Sequence, residues 1–325
     1  MLPTIIVGAG VAGRELHAAA LLRIRPKREV VFIDPLAAPA PNVFSDLDVY
    51  SHTGKLSGAV VHVCSPLATH VRVVKQALDL GAAVVLLEKP IAVNKQELEW
   101  LQRVIARHPT KAVFPVAVWP HARSYESARK VVERARKHGV ADTLRIEMDQ
   151  HKDRQADYAR GRGGSTSAFD VEFPHMSLVA RHLLGPVKNI EKATTRPARW
   201  APASRESGAC MVRTVHFSGA TSELRSELDA PERLRRLRVT SKLDDVTITL
   251  PSSRNHPVST VERIGYPPEH FKEAPLDAFL HAAYSVFEGT REVPLPVSFD
   301  EHIDAADLVF TARLMTITSV LQGEP

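Results

Sequence analysis

A glycine-rich segment near the start of the chain has the spacing of a phosphate-binding loop. It consists of Gly8, Ala9, Gly10, Val11, Ala12 and Gly13. An apolar, strand-like run, Thr4–Val7, precedes it, and a helical pattern from Ala12 to Leu22 follows. Glycines at these positions allow a tight turn, the close approach of a pyrophosphate and the packing of helix on strand. The helix N-terminus adds free N–H groups and partial positive charge, so this loop predicts a dinucleotide site.

An acidic residue follows the next predicted strand. Asp34 directly follows the run Val30–Ile33 and lies 21 residues after Gly13. This is where a carboxylate accepts hydrogen bonds from the adenosine ribose. The same charge would repel the 2′-phosphate of NADP, and residues 35–38 contain no arginine to neutralise it. We therefore expect NAD(H) to be preferred over NADP(H).

A second cluster lies between residues 60 and 92. Its chemistry-bearing residues are Cys64, Ser65, Pro66, Thr69, His70, Glu88, Lys89, Pro90, Ile91 and Ala92. They occupy the ends of two predicted strands and the start of the helix between those strands. In an open α/β sheet, ligands bind at the carboxyl ends of the strands. A lysine placed there can hydrogen-bond a reacting oxygen and stabilise the charge that develops on it.

The glycine loop and the second cluster together resemble the glucose–fructose oxidoreductase / inositol dehydrogenase family, known as Gfo/Idh/MocA. The resemblance covers most of the chain; it is strongest over residues 3–121 and clear in the closing helices. It implies that Lys89 lies beside the nicotinamide and the substrate hydroxyl. It also implies that Ser65, Pro66 and His70 flank the cofactor and that Glu88 contacts it.

A third segment is similar to the family's acid–base block. After Gly163-Gly164, the chain has Asp170, Glu172 and His175. The resemblance implies that His175 is a general acid/base supported by Asp170. The spacing is five residues instead of the usual four, and Glu172 offers a second carboxylate. Pro174 suits the first turn of a helix running to Leu184, and a helix N-terminus disfavours a protonated histidine.

The order of predicted elements indicates two domains. Strands alternate with helices over the first 120 residues, as in βαβ units with a parallel sheet. Alternating strand patterns and two closing helices then indicate an α+β domain with a largely antiparallel, open-faced sheet. We predict a Rossmann-type dinucleotide-binding domain at residues 1–121 and a substrate-binding and oligomerisation domain at residues 122–325. The family resemblance, together with an open sheet face carrying apolar residues, predicts a homodimer or homotetramer.

Composition excludes several other classes. The 325 residues are 44% hydrophobic, which is too apolar for a disordered chain. The net charge of +5 is spread along the chain, so we expect no nucleic-acid partner; the one dense basic run, at residues 233–238, is interpreted as the solvated side of a strand. The two cysteines, Cys64 and Cys210, are far apart in the sequence, which favours a reducing, cytoplasmic location. We expect no metal site, because histidine, cysteine and aspartate residues do not occur at the spacing of metal ligands. No apolar run is long enough for a membrane span.

These observations predict an enzyme, an NAD(P)-dependent oxidoreductase. The expected reaction moves a hydride between nicotinamide and a secondary alcohol or ketone of a sugar, polyol or aminocyclitol, with Lys89, His175 and Asp170 as catalytic residues. Two alternatives stay open: a C=N (imine) reductase on the same fold, and a non-catalytic dinucleotide-sensing subunit.

Overall fold

The computed structural model describes residues 3–155, 159, 167–200, 207–251, 256–290 and 295–322, with side chains as far as residue 317. The chain divides into two compact units. The first comprises residues 1–118 and 275–302, and the second comprises residues 119–274 and 303–325. The closing part of the chain is thus shared between the units, which the predicted boundary at residue 121 does not anticipate. The domain assignment itself stays a prediction.

A parallel sheet forms the centre of the first unit, with strand order β3-β2-β1-β4-β5-β6 in the described part of the chain. The strands are β1 (Thr4–Val7), β2 (Val30–Ile33), β3 (Val43–Phe44), β4 (Val60–Val63), β5 (Val84–Leu87) and β6 (Ala112–Pro115). Every residue of β1, β4 and β5 is buried. Continuous apolar strands of this kind indicate a sheet that is covered on both faces.

Helices cover this sheet. They are α1 (Ala19–Ile24), α2 (Leu47–Ser51), α3 (His70–Asp79), α4 (Lys95–Ala106) and, from the end of the chain, α8 (Pro275–Phe287). Gly81 follows the end of α3 with φ of +91°, a left-handed conformation that favours glycine. Helix α8 packs Phe279, Leu280 and Tyr284 into a core with Leu21 of α1.

The first predicted helix differs from the observed one. A π-helical segment, Val11–Ala18, precedes α1. Its wider turns still place apolar residues inward, so the hydrophobic periodicity of the sequence does not distinguish it from an α-helix. Such segments are rare and concentrate at functional sites.

The second unit contains a largely antiparallel sheet, as predicted, with strand order β14-β13-β12-β11-β7-β10-β9-β8 among the described residues. Its strands are β7 (Arg145–Asp153), β8 (Val187–Arg196), β9 (Ala209–His216), β10 (Thr221–Glu227), β11 (Asp229–Thr240), β12 (Asp245–Thr249), β13 (Val258–Arg263) and β14 (Glu269–Lys272). Its helices are α5 (Tyr125–Lys137), α6 (Ala168–Val171), α7 (Phe173–Leu184) and most of α9 (Phe299–Gln322). A capping box begins α9: Glu301 N–H donates to Ser298 Oγ, and Ser298 N–H donates to the Glu301 carboxylate.

The two faces of this sheet differ in chemistry. Alternating apolar residues such as Met148 are fully buried on the face that packs against α5 and α7. The centre of the opposite face carries a charged ladder: Arg225 lies 3.7 Å from Asp149, and Arg236 donates to the same carboxylate at 2.6 Å. Half-buried Met211 is the register partner of Arg225 and shares this face. The expected apolar open face is therefore charged at its centre, because the helices use the apolar alternation of the central strands for the core. The predicted dimer or tetramer stays a prediction.

Among the described residues, no helix combines the length and apolar character needed to cross a bilayer. The described side chains also contain no group of three histidine, cysteine, aspartate or glutamate residues that could hold a metal ion.

Candidate active site

Three loops meet at one edge of the parallel sheet. The glycine loop follows β1, the turn containing Ser65 follows β4, and the loop containing Glu88 and Lys89 follows β5. These strands are consecutive in the sheet and parallel, so their carboxyl ends lie at the same edge. The chain reverses its direction of strand addition between β1 and β4. Ligands of open α/β sheets bind at such a switch point.

The three glycines of the loop differ in the space around them: two lie against other backbone atoms, and the third does not. A Cβ at Gly8, whose φ is +99°, would lie 2.6 Å from the carbonyl oxygen of Cys64. A Cβ at Gly13 would lie 1.9 Å from the carbonyl oxygen of Gly8. Gly10, in contrast, has open space around the position of a Cβ. Two glycines are thus required by the protein, and the third leaves room for a ligand, which fits a pyrophosphate approaching the backbone.

The π-helical segment begins at this loop. Gly10 is its N-cap, and Val11, the first residue of the segment, is 63% exposed. The first N–H groups of a helical segment lack intrahelical partners, and they attract anions. Gly8, Gly10, Val11, Ala12 and Gly13 therefore have the arrangement needed to hold the phosphates of a dinucleotide.

Asp34 is tied to the glycine loop. One carboxylate oxygen accepts a hydrogen bond from the Ala9 N–H at 2.8 Å, and the other accepts from the Leu36 N–H at 2.9 Å. Close by, the Arg14 guanidinium lies 4.7 Å from the centre of the Phe32 ring, and its Nε donates to the Ala9 carbonyl. Asp34 therefore has a fixed orientation, and Arg14 is a cation at the same loop that the sequence analysis did not single out.

His70 connects the other two loops. Its Nε2 lies 2.9 Å from the Ser65 carbonyl oxygen, and its Nδ1 lies 2.8 Å from the Pro90 carbonyl oxygen. Burial lowers the pKa of His70, although the two carbonyls act in the opposite direction. A neutral ring donates to only one carbonyl at a time. His70 thus holds the two loops together, and its contact with a cofactor stays a prediction.

The turn after β4 is fixed by a hydroxyl network. Thr69 Oγ1 donates towards Ser65 Oγ and towards the Pro66 carbonyl, each at 2.7 Å. The Ser65 hydroxyl is therefore oriented from within the turn, at the edge of the sheet where the family resemblance places the cofactor.

Glu88 and Lys89 lie at the end of β5. Glu88 Oε1 is 2.8 Å from Nε2 of His17, and Glu88 Oε2 accepts a hydrogen bond from the Lys89 N–H at 3.1 Å. His17 is fully buried, whereas the Glu88 side chain is 15% exposed and Lys89 is half-buried. The structure thus brings Glu88 and Lys89 together and adds His17, which sequence reasoning missed.

His175 lies at the start of α7 in the second unit. Its backbone N–H donates to the backbone carbonyl of Glu172 at 3.1 Å. Its ring lies edge-on to the Trp119 ring, with 6.3 Å between the ring centres. The carboxylate of Asp170 forms an ion pair with Arg313. Glu172 is 4% exposed and lies among residues packed around Trp119. Both carboxylates are thus in the neighbourhood of the histidine along the chain, and their roles stay predictions.

Arg235 has a different environment from the one expected for it. From the sequence, we interpret the basic run at residues 233–238 as the solvated side of a strand. The Arg235 side chain, however, is only 17% exposed. Its guanidinium lies 5.1 Å from the centre of the Trp119 ring and 3.9 Å from Glu172. In the register of the sheet, Arg235 is paired with the buried Gln150, which places it on the covered face. Arg236, the next residue, faces the opposite side, as strand alternation requires.

Comparison with known proteins gives the class of the first unit. Residues 2–118 match the model of the Gfo/Idh/MocA family, described as an oxidoreductase family with an NAD-binding Rossmann fold. The resemblance seen in the motifs is thereby confirmed. Over these residues the chain matches the NAD-binding Rossmann domain of the Gfo/Idh/MocA oxidoreductases.

Solved structures share the whole two-domain fold. The UDP-N-acetylglucosamine 3-dehydrogenase GnnA from Acidithiobacillus ferrooxidans is 16% identical, covers 97% of each chain and has a TM-score of 0.71. The 3-ketoreductase KijD10 from Actinomadura kijaniata, in complex with TDP-benzene and NADP, is 17% identical over 96% of each chain, with a TM-score of 0.73. The WlbA dehydrogenase from Bordetella pertussis, in complex with NADH and UDP-GlcNAcA, is 17% identical over 97% of this chain and 96% of that chain, with a TM-score of 0.73. Comparison with curated protein sequences finds no significant match.

The open space at Gly10 gives a test of the phosphate-binding role of the loop. Gly10 has φ of −79°, so alanine is tolerated by the backbone, but its methyl group would occupy the space left for the pyrophosphate. We predict that Gly10→Ala keeps the melting temperature of the wild type and weakens NADH binding by about 10-fold or more, measured by fluorescence titration. Gly13→Ala is the contrasting variant, and we expect it to destabilise the fold because its methyl group would overlap backbone. Unchanged NADH affinity in folded Gly10→Ala would contradict the assignment.

Proposed function

We propose that this protein is an NAD(P)-dependent dehydrogenase or reductase that acts on a secondary alcohol or ketone of a sugar, polyol or aminocyclitol. The observation that carries the proposal is the meeting of the glycine loop, the Ser65 turn and the Glu88-Lys89 loop at one edge of the parallel sheet. The names of the similar structures support the substrate class, because they include a sugar-nucleotide 3-dehydrogenase and a 3-ketoreductase.

In this proposal the chain's own residues hold the cofactor and move protons. The glycine loop and the start of the π-helical segment hold the pyrophosphate, and Asp34 holds the adenosine ribose. A bound nicotinamide accepts or returns the hydride. Ser65, Pro66, His70 and Glu88 lie along the same edge and shape the nicotinamide end of the site.

We assign proton transfer to His175 and Lys89, the roles that the family resemblance implies for them. During oxidation, His175 removes the hydroxyl proton of the substrate, and the Lys89 ammonium hydrogen-bonds the reacting oxygen. During reduction, His175 returns the proton to the same oxygen. Charge that develops on this oxygen is stabilised by the positioned lysine, an effect that is strong in a site from which water is excluded.

Replacing these two residues tests the proposal. We predict that Lys89→Met and His175→Ala each lower turnover by about two to four orders of magnitude, the contribution of a positioned acid–base group, while NADH affinity stays close to that of the wild type. Turnover is measured with NAD⁺ and a panel of sugars, nucleotide sugars, polyols and aminocyclitols. Lys55→Met and His138→Ala are matched controls, because both residues are exposed and neither belongs to the loops or the helix start assigned to the site.

The outcomes separate the possible functions. Activity retained in His175→Ala would make this histidine structural and would move a C=N reductase ahead, with imines added to the panel. NADH binding by a wild type that turns over none of these compounds would favour a dinucleotide sensor.

The same series decides which carboxylate supports His175. We propose Asp170 as the supporting residue, with Glu172 as the competitor. A nearby anion holds the pKa of an imidazole up, so removing it lowers the pH at which the base form appears. Asp170→Asn should therefore shift the rise in oxidation rate to lower pH, and Glu172→Gln should not. The reverse result would assign the role to Glu172.

We propose a preference for NAD(H). The carboxylate of Asp34 is held in place by two backbone N–H groups, so it would remain near the ribose 2′ position and repel a phosphate there. Fluorescence titration should show tighter binding of NADH than of NADPH, and Asp34→Asn should narrow the difference by strengthening NADPH binding. Arg14→Ala is the matched variant at the same loop, and the NADH preference should survive it. Tighter NADPH binding by the wild type, lost in Arg14→Ala, would overturn the preference and assign phosphate recognition to Arg14.

A further inference from the structure

A continuous line of buried polar side chains passes through the first unit. His17 Nδ1 lies 2.9 Å from His62 Nδ1, and His62 Nε2 lies 2.9 Å from the Tyr284 hydroxyl. The Tyr284 hydroxyl lies 2.6 Å from Thr4 Oγ1. At the opposite end, His17 Nε2 contacts Glu88 at 2.8 Å. His17, His62 and Thr4 are fully buried, and Tyr284 is 1% exposed.

Such a line is costly to bury unless each group has a partner, so its presence inside an apolar sheet needs a reason. Four apolar side chains could have filled the same volume. The line instead begins at Thr4, at the start of β1, and ends at Glu88, one residue before the proposed catalytic Lys89. The helix that supplies Tyr284, α8, comes from the closing part of the chain and packs on α1.

The chemistry of the two ends fixes part of the donor pattern. A carboxylate only accepts, so His17 Nε2 donates to Glu88, and Glu88 Oε2 accepts from the Lys89 N–H. Burial opposes a charge on His17, but Cys64 and Glu88 act in the other direction and raise its pKa to about 10. Burial, together with His17 and Arg28, lowers the pKa of His62 well below its usual value. His17 is then the cation and donates from both ring nitrogens, and His62 accepts from it.

We propose that His17 is a positioning residue for Lys89: it holds the Glu88 carboxylate, which in turn fixes the backbone N–H of Lys89, and Tyr284 secures the opposite end of the line through His62. This inference rests on the proposed role of Lys89 in the reaction. It also gives Glu88 a role within the protein, because both carboxylate oxygens are engaged by protein groups. An error of about 1 Å in the placement of a reacting group costs on the order of 100-fold in rate.

The charged and titratable groups that face Glu88 come from three elements. His17 belongs to the π-helical segment, Cys64 follows β4, and His70 begins α3, while Lys89 adjoins Glu88 in its own loop. Burial raises the pKa of the Cys64 thiol. His17 is thus a buried cation in direct contact with the Glu88 carboxylate.

The test replaces His17 with glutamine, which keeps an N–H donor of similar reach but cannot carry the charge. We expect His17→Gln to lower kcat by about 10- to 100-fold for the substrate found in the panel, with NADH affinity within about 2-fold of the wild type. A nearby cation lowers the pKa of a carboxylate, so a variant that lacks this cation should also lose activity on the acid side at a higher pH than the wild type. His52→Gln is the control, since His52 is exposed in the same unit.

A second readout does not depend on activity. A group whose pKa is raised on folding stabilises the protein below its unfolded pKa of about 6.5, and this contribution disappears as the pH rises through its folded pKa. The melting temperature of the wild type should therefore exceed that of His17→Gln most at pH 6, and the difference should shrink towards pH 10. If His17→Gln does not fold, Tyr284→Phe, which keeps the ring and removes the hydroxyl, should show a smaller loss of kcat in the same direction.

Two results would overturn the inference. In the first, folded His17→Gln has the kcat of the wild type, whereas Lys89→Met is inactive. This result would leave the proposed function intact. The other is a loss of activity in His17→Gln explained entirely by weaker NADH binding with an unchanged pH profile. A wild-type kcat in both His17→Gln and Lys89→Met would instead show that Lys89 does not act as proposed, and the proposed function would fail.

Discussion

The buried contact between His17 and Glu88 is the interaction on which the candidate site depends. A carboxylate near the end of a buried strand is unfavourable without a partner, and removing one member of a buried pair is more damaging than replacing both. The pair connects the π-helical segment, which follows the glycine loop, with the loop that carries Lys89. One contact therefore fixes the relative positions of the proposed phosphate-binding and catalytic parts of the first unit.

The other loops at this edge are joined in a similar way. The absence of a side chain at Gly8 lets the turn after β1 touch the turn after β4. His70 then connects the turn after β4 with Pro90 in the loop after β5. Each of the three loops is thus held by its neighbour, as expected of a site whose function requires precise placement of reacting groups on a rigid scaffold.

Sequence reasoning recovered the parts of the molecule that local patterns encode. Short, mostly apolar runs predicted the strands observed as β1, β4 and β5, and the spacing of Gly8, Gly10 and Gly13 predicted the turn between strand and helix. The resemblance to the Gfo/Idh/MocA family followed from motifs in residues that lie at strand ends, and the match of residues 2–118 to that family confirms it for the first unit. Period-two alternation also gave the antiparallel sheet of the second unit.

The remaining features depend on contacts between distant segments, which local patterns do not contain. His17 and His62 lie 45 residues apart, and the partner of His62, Tyr284, lies a further 222 residues along the chain. A histidine in a helix and another in a strand carry no local signal that their rings meet. Arg235 was misjudged for a related reason, because a run of arginines does not reveal which side of the strand faces the helices. The π-helical segment was missed because its hydrophobic pattern is close to that of an α-helix.

The protonation state of His17 tests the central claim most directly. The distances between the heavy atoms fit both a neutral and a charged His17, and only the charged form agrees with the account. Nitrogen-15 NMR of histidine-labelled protein, with the His17→Gln variant to assign the signals, reports whether each ring nitrogen carries a proton. We predict that both nitrogens of His17 are protonated at neutral pH, because its pKa is raised, and that His62 is neutral there, because its pKa is lowered. A His17 ring that is neutral at pH 7 would contradict the account, since His17 would then not be the charged group that holds Glu88 beside Lys89.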